Sequence, residues 1–409
     1  MFLLEKAGVG GRRYWLWISA LLAIGGAGVY FYLRQLDYGL GITGLSRNVT
    51  WGAYIGEFTF LVGIAASAVM VVIPYYLHNH KEFGRMTVLG EFLAIAAVTM
   101  CMLFIFVDMG QPVRILNVIF YPHPRSMMFW DMVSLSGYLV LNVTITLASI
   151  HALQLGTAPP QWLKKVVLLS IPWAISIHTV TAFLYSGLPG RPFWLTAILA
   201  PRFLASAFAS GPALLILFCL ALKRLTGFDV GAKAINGLAV IVTYAMLANL
   251  FLLLMEIFTA FYSQIPALME HFDNMYLGLH EHTSLLLWGR TSVLLMLAAA
   301  AMLIVPRIRR NTRWLAVACA VTFLGLWADK GVCLVVCGFM PSPLESMTNY
   351  APTLPEITIS AGIWAVGLLM ITVFYKIAIA VETASTGSYG ESKEKGLLAS
   401  TPAAALSAR

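Results

Sequence analysis

Ten ionisable side chains stand inside stretches that are otherwise apolar: Glu57, Glu91, Asp108, Asp131, His178, Arg202, Glu256, Arg290, Asp329 and Lys330. Held in hydrocarbon, each costs on the order of 2.5–3.5 kcal/mol on insertion scales, so each needs a partner or a task. A carboxylate or an imidazole in an apolar slot is the kind of group that exchanges protons with a bound ring, and a phenol or guanidinium can hold the ring's oxygens. Tyr54 lies three residues before Glu57 and shares its helix face, while Trp51 and Trp130 sit near the same mouth. Glu57 and Glu256 are the hardest to dismiss, because each is flanked by apolar sequence with no opposite charge beside it.

Plainer readings stand beside these. Asp108, in Asp108-Met109-Gly110-Gln111-Pro112, suits a cap on the turn after a helix, and Asp131 suits a pair with Arg125. His178 suits an interhelical hydrogen bond, and Arg202, after Pro201, suits a side chain that snorkels to headgroups. Asp329 and Lys330 adjoin one another and suit mutual neutralisation. Trp and Tyr near span ends read chiefly as membrane anchors. His280-x-His282 lacks a third metal ligand nearby, and the five cysteines are scattered without a CxxC pair, so neither a zinc site nor an iron–sulfur cluster is expected in this chain.

The elements that must carry these residues follow from composition. Of the 409 residues 60% are hydrophobic and 11% charged, against roughly 25% charged in a soluble domain. Runs of roughly 20 apolar residues read as membrane helices, and ten are expected near 14–33, 52–77, 87–107, 127–152, 165–186, 200–222, 233–263, 285–305, 313–336 and 358–380. The fold class is therefore all-α and integral to the membrane. The net charge of +8 sits in short loops, which makes it an orientation signal rather than a nucleic-acid surface. On this reading 18 of the 26 Lys and Arg lie on the side of the two termini, which predicts both termini in the cytoplasm.

Loops 34–51, 108–126, 264–284 and 337–357, on the other side, are longer and rich in Pro and aromatics, as a docking platform for an outer-face partner would be. A transmembrane domain over 1–383 and a mobile cytoplasmic tail over 384–409 are expected. Phe60-Leu61 with Gly63 to Ala68 in the second span echoes Phe203-Leu204 with Ala205 to Gly211 in the sixth. That echo suits two parallel four-helix bundles, spans 2–5 and 6–9, with two flanking helices. With this orientation Glu57, Asp108, Asp131, His178 and Arg202 converge on the outer half of spans two to six, and Glu91 stands alone near the inner surface.

Several segments resemble the NrfD/PsrC family of membrane subunits: Trp51-Gly52-Ala53-Tyr54-Ile55-Gly56-Glu57-Phe58-Thr59-Phe60, the turn Asp108-x-Gly-x-Pro with Arg114 and Asn117, Phe129-Trp130-Asp131, and His178-Thr179-Val180-Thr181-Ala182-Phe183 leading to Leu188-Pro189-Gly190 and Pro201-Arg202-Phe203-Leu204-Ala205-Ser206-Ala207. Within the family the likeness is greatest to the DsrP-type subunit of the Dsr sulfur-metabolism complex. The resemblance implies a subunit of the cell inner membrane that handles quinone and has no haem or iron–sulfur cluster of its own. It would exchange electrons between menaquinone or menaquinol and a periplasmic iron–sulfur subunit of ferredoxin type. It further implies a multihaem cytochrome c and a second membrane subunit with haem b and a cytoplasmic iron–sulfur subunit. Tyr54, Glu57, Asp108, Asp131, His178 and Arg202 are the matching motif positions.

The expected site thus has Glu57, Asp131 and His178 exchanging protons, and Tyr54, Asp108 and Arg202 binding the quinone. Glu91 and Glu256 extend proton paths through the membrane. A secondary transporter is the rival reading, and would show paired Gly or Pro interruptions at mid-depth, for which Pro172 and Pro212 are the hints. A b-type cytochrome anchor is the other, and needs two helical histidines at matched depth, where only His178 lies convincingly inside a span.

Overall fold

Ten helices long and apolar enough to cross a membrane dominate the computed structural model, which describes residues 8–65, 67–78, 80–155, 157, 159–278, 284–344 and 346–399. They are α1 (Arg12–Ile42), α2 (Ala53–Leu77), α3 (Lys81–Asp108), α4 (Met127–Gln154), α5 (Gln161–Ser186), α6 (Leu199–Thr226), α7 (Ala232–Tyr262), α8 (Leu286–Ile304), α9 (Thr312–Cys337) and α10 (Leu354–Val381). Hydrocarbon offers a peptide group no hydrogen-bond partner, so sequence this apolar satisfies its backbone internally as helix. Each expected span corresponds to one of these helices, with ends that differ by a few residues. The last helix runs on past the apolar stretch to Ala399.

Helices α2, α3, α4 and α5 are neighbours in cyclic order, and so are α6, α7, α8 and α9. Helix α1 pairs with α10, which lies on α3, and α2 meets α6 and α9 across the seam between the two groups. The two small-residue stretches noted in the sequence are themselves this seam. A Cβ at Gly211 would stand 3.1 Å from the Ser67 amide nitrogen and 3.2 Å from the carbonyl oxygens of Gly63 and Ile64, so α2 and α6 touch backbone to backbone. Gly56 packs as closely on the Gly331 carbonyl of α9, and Gly28 of α1 on Gly362 of α10.

Pro172 and Pro212 lie inside helices that continue through them. Regular helix gives way to π-helical turns at the end of α2, over Ile73–Leu77, and inside α9, over Trp327–Cys333. The turn in α9 holds Asp329 and Lys330, both buried, and π turns of this kind concentrate at functional positions.

The even-numbered helices all begin at one end of the molecule, called the far end below. There Glu356 reaches back over the start of α10, its carboxylate accepting from the Thr353 amide at 2.9 Å. The same carboxylate accepts from the Gly44 amide at 2.6 Å and from the Tyr350 hydroxyl at 2.9 Å, and that hydroxyl accepts from the Ala53 amide at 2.6 Å. One carboxylate thereby fastens the loop before α2, the start of α2 and the start of α10 together.

Candidate functional site

Glu57 lies one turn into α2 at the far end, and its carboxylate is held flat by two indoles. Trp327 Nε1 of α9 donates to Oε1 at 3.0 Å, and Trp364 Nε1 of α10 donates to Oε2 at 3.1 Å. These three residues wall a cavity of about 540 Å³ whose other sides include Trp288, Phe323 and Tyr350. The volume falls within the roughly 300–1,000 Å³ of small-molecule sites. Trp288 meets Trp327 edge to face at 5.7 Å, and Phe323 meets Trp364 at 6.2 Å, so the walls are aromatic and rigid. Three lining residues, Trp288 of α8, Leu324 of α9 and Ile357 of α10, are exposed, so the cavity is open to the surface beside these helices. Gly52 and Gly56 are required here, since a Cβ on the first would enter the Tyr350 ring and on the second the Gly331 carbonyl.

The other expected site residues stand apart from this cavity. Asp131, at the start of α4, accepts from Thr181 Oγ1 of α5 at 2.9 Å and is buried, while Arg125 is exposed. Thr59 of α2 bonds the Tyr185 hydroxyl of α5 close by in the same helix group. His178 is fully buried in α5 and neither ring nitrogen has a hydrogen-bond partner. Tyr54 turns from Glu57 toward α1, donating to Gln35 Oε1 at 2.8 Å, and Gln35 Nε2 in turn donates to the Val107 carbonyl at 2.6 Å. Asp108 closes α3 with Oδ1 buried and unpartnered.

Arg202 is neither a snorkelling residue nor a free donor. Its Nη1 donates to Glu256 of α7 at 2.5 Å and its Nη2 to both oxygens of Asp329 at 2.8 Å, so the planar fork is occupied by two carboxylates. Glu256, which has no opposite charge beside it in sequence, is a member of this triad, and Asp329 pairs with Arg202 rather than with its sequence neighbour Lys330. Glu91 accepts from Thr146 Oγ1 at 3.3 Å and keeps Oε1 buried without a partner. Arg290 donates to the Tyr276 carbonyl at 2.9 Å and serves the far-end loop. His280 and His282 lie outside the described residues. Among the described residues no three His, Cys, Asp or Glu side chains gather as a metal-holding group.

Sequence reading missed Trp327, Trp364, Tyr350 and Glu356. The two tryptophans sit where membrane anchors are common, and nothing local marks their indoles as turned inward. Glu356 did carry a signal, since Thr353-x-x-Glu356 is a capping-box spacing.

The family model for polysulphide reductase, NrfD, matches residues 41–341, which is well over half of the chain. This chain belongs to the NrfD family. The matched stretch holds all of α2 to α9, and with them Glu57, Trp327 and the Arg202 triad. A Halobacterium salinarum protein, provisionally named as a membrane subunit of dimethyl sulfoxide reductase, is 26% identical, covering 88% of this chain and 89% of its own length. The Hdr-like menaquinol oxidoreductase integral membrane subunit of Archaeoglobus fulgidus is also 26% identical, over 77% and 75%. The menaquinone reductase integral membrane subunit of Nitratidesulfovibrio vulgaris is 23% identical, over 89% and 91%. None of these three NrfD relatives bears a Dsr name.

Proposed function

We propose that this chain is the quinone-reacting membrane subunit of a respiratory oxidoreductase, and that the quinone ring binds in the Glu57 cavity. The observation that carries the reading is a single carboxylate, oriented by two indole N–H groups, in an aromatic cavity open beside the apolar helices α8, α9 and α10. A quinone brings a flat ring, two oxygens that take up or lose protons, and an isoprenoid tail that prefers lipid. The cavity matches each of these with aromatic walls, a proton-exchanging group and a mouth beside apolar helices. The menaquinol and menaquinone named in two relatives favour menaquinone as the substrate.

Oxidation of a quinol releases two electrons and two protons. Glu57 takes those protons one after the other, passing the first on before it accepts the second, and the indoles of Trp327 and Trp364 keep its oxygens facing the ring. This keeps α2 but replaces spans three to six by α8, α9 and α10. Asp131, His178, Tyr54 and Asp108 then serve as buried proton carriers behind the site rather than as ring contacts, and Glu91 and Glu256 extend that path through the membrane. Electrons leave at the far end to a ferredoxin-type iron–sulfur subunit on the periplasmic side. A multihaem cytochrome c and a haem b membrane subunit with its cytoplasmic iron–sulfur partner complete a Dsr-like assembly in the inner membrane.

Replacing Glu57 by Gln keeps the shape and removes the proton acceptor. Quinol oxidation by the purified complex should then fall by about a hundredfold with the complex still assembled. Wild-type turnover in Glu57→Gln would sink the assignment.

Two features speak against the rival readings. Helices α5 and α6 run through Pro172 and Pro212 without the paired breaks a transporter site uses. His178 lies toward the far end of α5 whereas His151 lies in the last turn of α4 at the opposite end, so the two are not at the matched depth of a bis-histidine haem.

A further inference from the structure

Behind the cavity, the same π turn of α9 carries a lysine that none of the roles above uses. Lys330 is 4% exposed, its ammonium has no hydrogen-bond acceptor, and it lies 4.1 Å above the Phe203 ring of α6. A Cβ on Gly63 of α2 would stand 3.6 Å from Nζ, so the side chain reaches out of one helix group across the seam into the other. An ammonium with three donors and no acceptor is costly in such a place. A cation over an aromatic face recovers part of that cost and leaves the donors unmet.

Lys330 also lines a small cavity of about 10 Å³, together with Asp329, Arg202, Ser206 and Asn249. That is about the space of one water molecule, which needs two to four polar partners to stay. Asn249 supplies one, because its Nδ2 is turned to Met296 Sδ at 3.4 Å while its Oδ1 is buried without a donor. Ser206 supplies another, its hydroxyl hydrogen being spent on the Phe203 carbonyl at 2.9 Å, which leaves its oxygen to accept. Across the seam His178 of α5 is likewise fully buried, with neither ring nitrogen partnered.

We propose that Lys330 is a proton-exchanging residue of a second buried site, joined through one bound water to Asn249 and the Asp329–Arg202–Glu256 triad. The ammonium gives one proton to the water and regains one from it, so only N–H and O–H bonds change. The charged and titratable groups around it are Arg202 on α6, Glu256 on α7, Asp329 on α9, Cys101 on α3 and His178 on α5. Arg202 is fixed between its two carboxylates, which leaves Lys330 as the cation of the group able to change partner.

Lysine carrying 15N at Nζ, incorporated into the full chain in lipid nanodiscs, reports this site without any quinone. One lysine signal should exchange between ammonium and amine apart from all the others, and Lys330→Met should abolish it. Asn249→Leu keeps the lysine and removes an anchor of the water, so it should shift that signal, and a water in the density between Lys330 and Asn249 should be lost with it. In the assembled complex Lys330→Met should slow quinol oxidation by about a hundredfold. A set of lysine signals that all remain ammonium, or wild-type turnover in Lys330→Met, overturns the proposal. A wild-type complex that does not oxidise quinol counts instead against the function proposed for the Glu57 cavity, since the titration stands by itself.

Discussion

At the scale of single residues, the contrast between Glu57 and Arg202 shows what residue type alone reveals. Both were legible as buried charges that need a reason, because charge in apolar sequence is visible at once. Their partners were not legible, since Trp327 and Trp364 are 270 and 307 residues from Glu57, and Glu256 and Asp329 are 54 and 127 from Arg202. The indoles are therefore the residues to test. Phenylalanine keeps the aromatic wall and removes the N–H, and a hydrogen bond to an ionised group is worth about 1.5–3 kcal/mol. Trp327→Phe and Trp364→Phe should each lower kcat/KM for quinol by roughly tenfold or more, at about 1.4 kcal/mol per factor of ten. Because both donors hold one carboxylate, the double substitution should cost less than the product of the two single losses. Unchanged kinetics in both single variants would mean that the carboxylate needs no orienting.

Helices were read nearly whole and the far-end loops hardly at all. Twenty apolar residues announce a span by themselves, and the echo of small residues in α2 and α6 fell on the contact seam because close backbone approach requires small side chains wherever it occurs. Loop packing leaves no such periodic trace. The short helix Pro266–Tyr276 is an example, folded over the far end with His271 stacked on Phe193 at 5.3 Å and its Nδ1 against the Ala267 carbonyl at 2.7 Å. Burial lowers the His271 pKa from 6.5 to about 4. In the unfolded chain the ring takes a proton below about pH 6.5, whereas the folded helix refuses it until about pH 4, so the unfolded state binds more protons between those limits. Stability of this segment is then full above pH 6.5 and falls with acidification at up to about 1.4 kcal/mol per pH unit. Hydrogen exchange at the amides of 266–276 should accelerate from pH 7 to pH 5 beyond the intrinsic pH dependence of exchange, and His271→Gln should remove the excess. An equal excess in His271→Gln would assign the effect to another group.

For the whole molecule, the deciding question is which side of the membrane the far end faces, because that end holds Glu57, Asp131, the Arg202 triad and the long Pro-rich and aromatic loops. Ten helices return the chain to its starting side, and the 18 basic residues counted there resist translocation, so the far end is expected outside. The direction matters chemically. Protons released from the Glu57 cavity would leave to the outside along the shorter route, and an electron-accepting cluster would have to dock on the same side. Arg125 is exposed in the far-end loop before α4 and Lys164 is exposed at the opposite end of the molecule, at the start of α5. The five native cysteines are buried, so a single introduced thiol dominates labelling by a membrane-impermeant maleimide. In intact spheroplasts Arg125→Cys should react, and Lys164→Cys should react only after the membrane is permeabilised. The opposite pattern would turn the Glu57 cavity toward the cytoplasm, put proton release on that side and require the iron–sulfur partner to be a cytoplasmic protein.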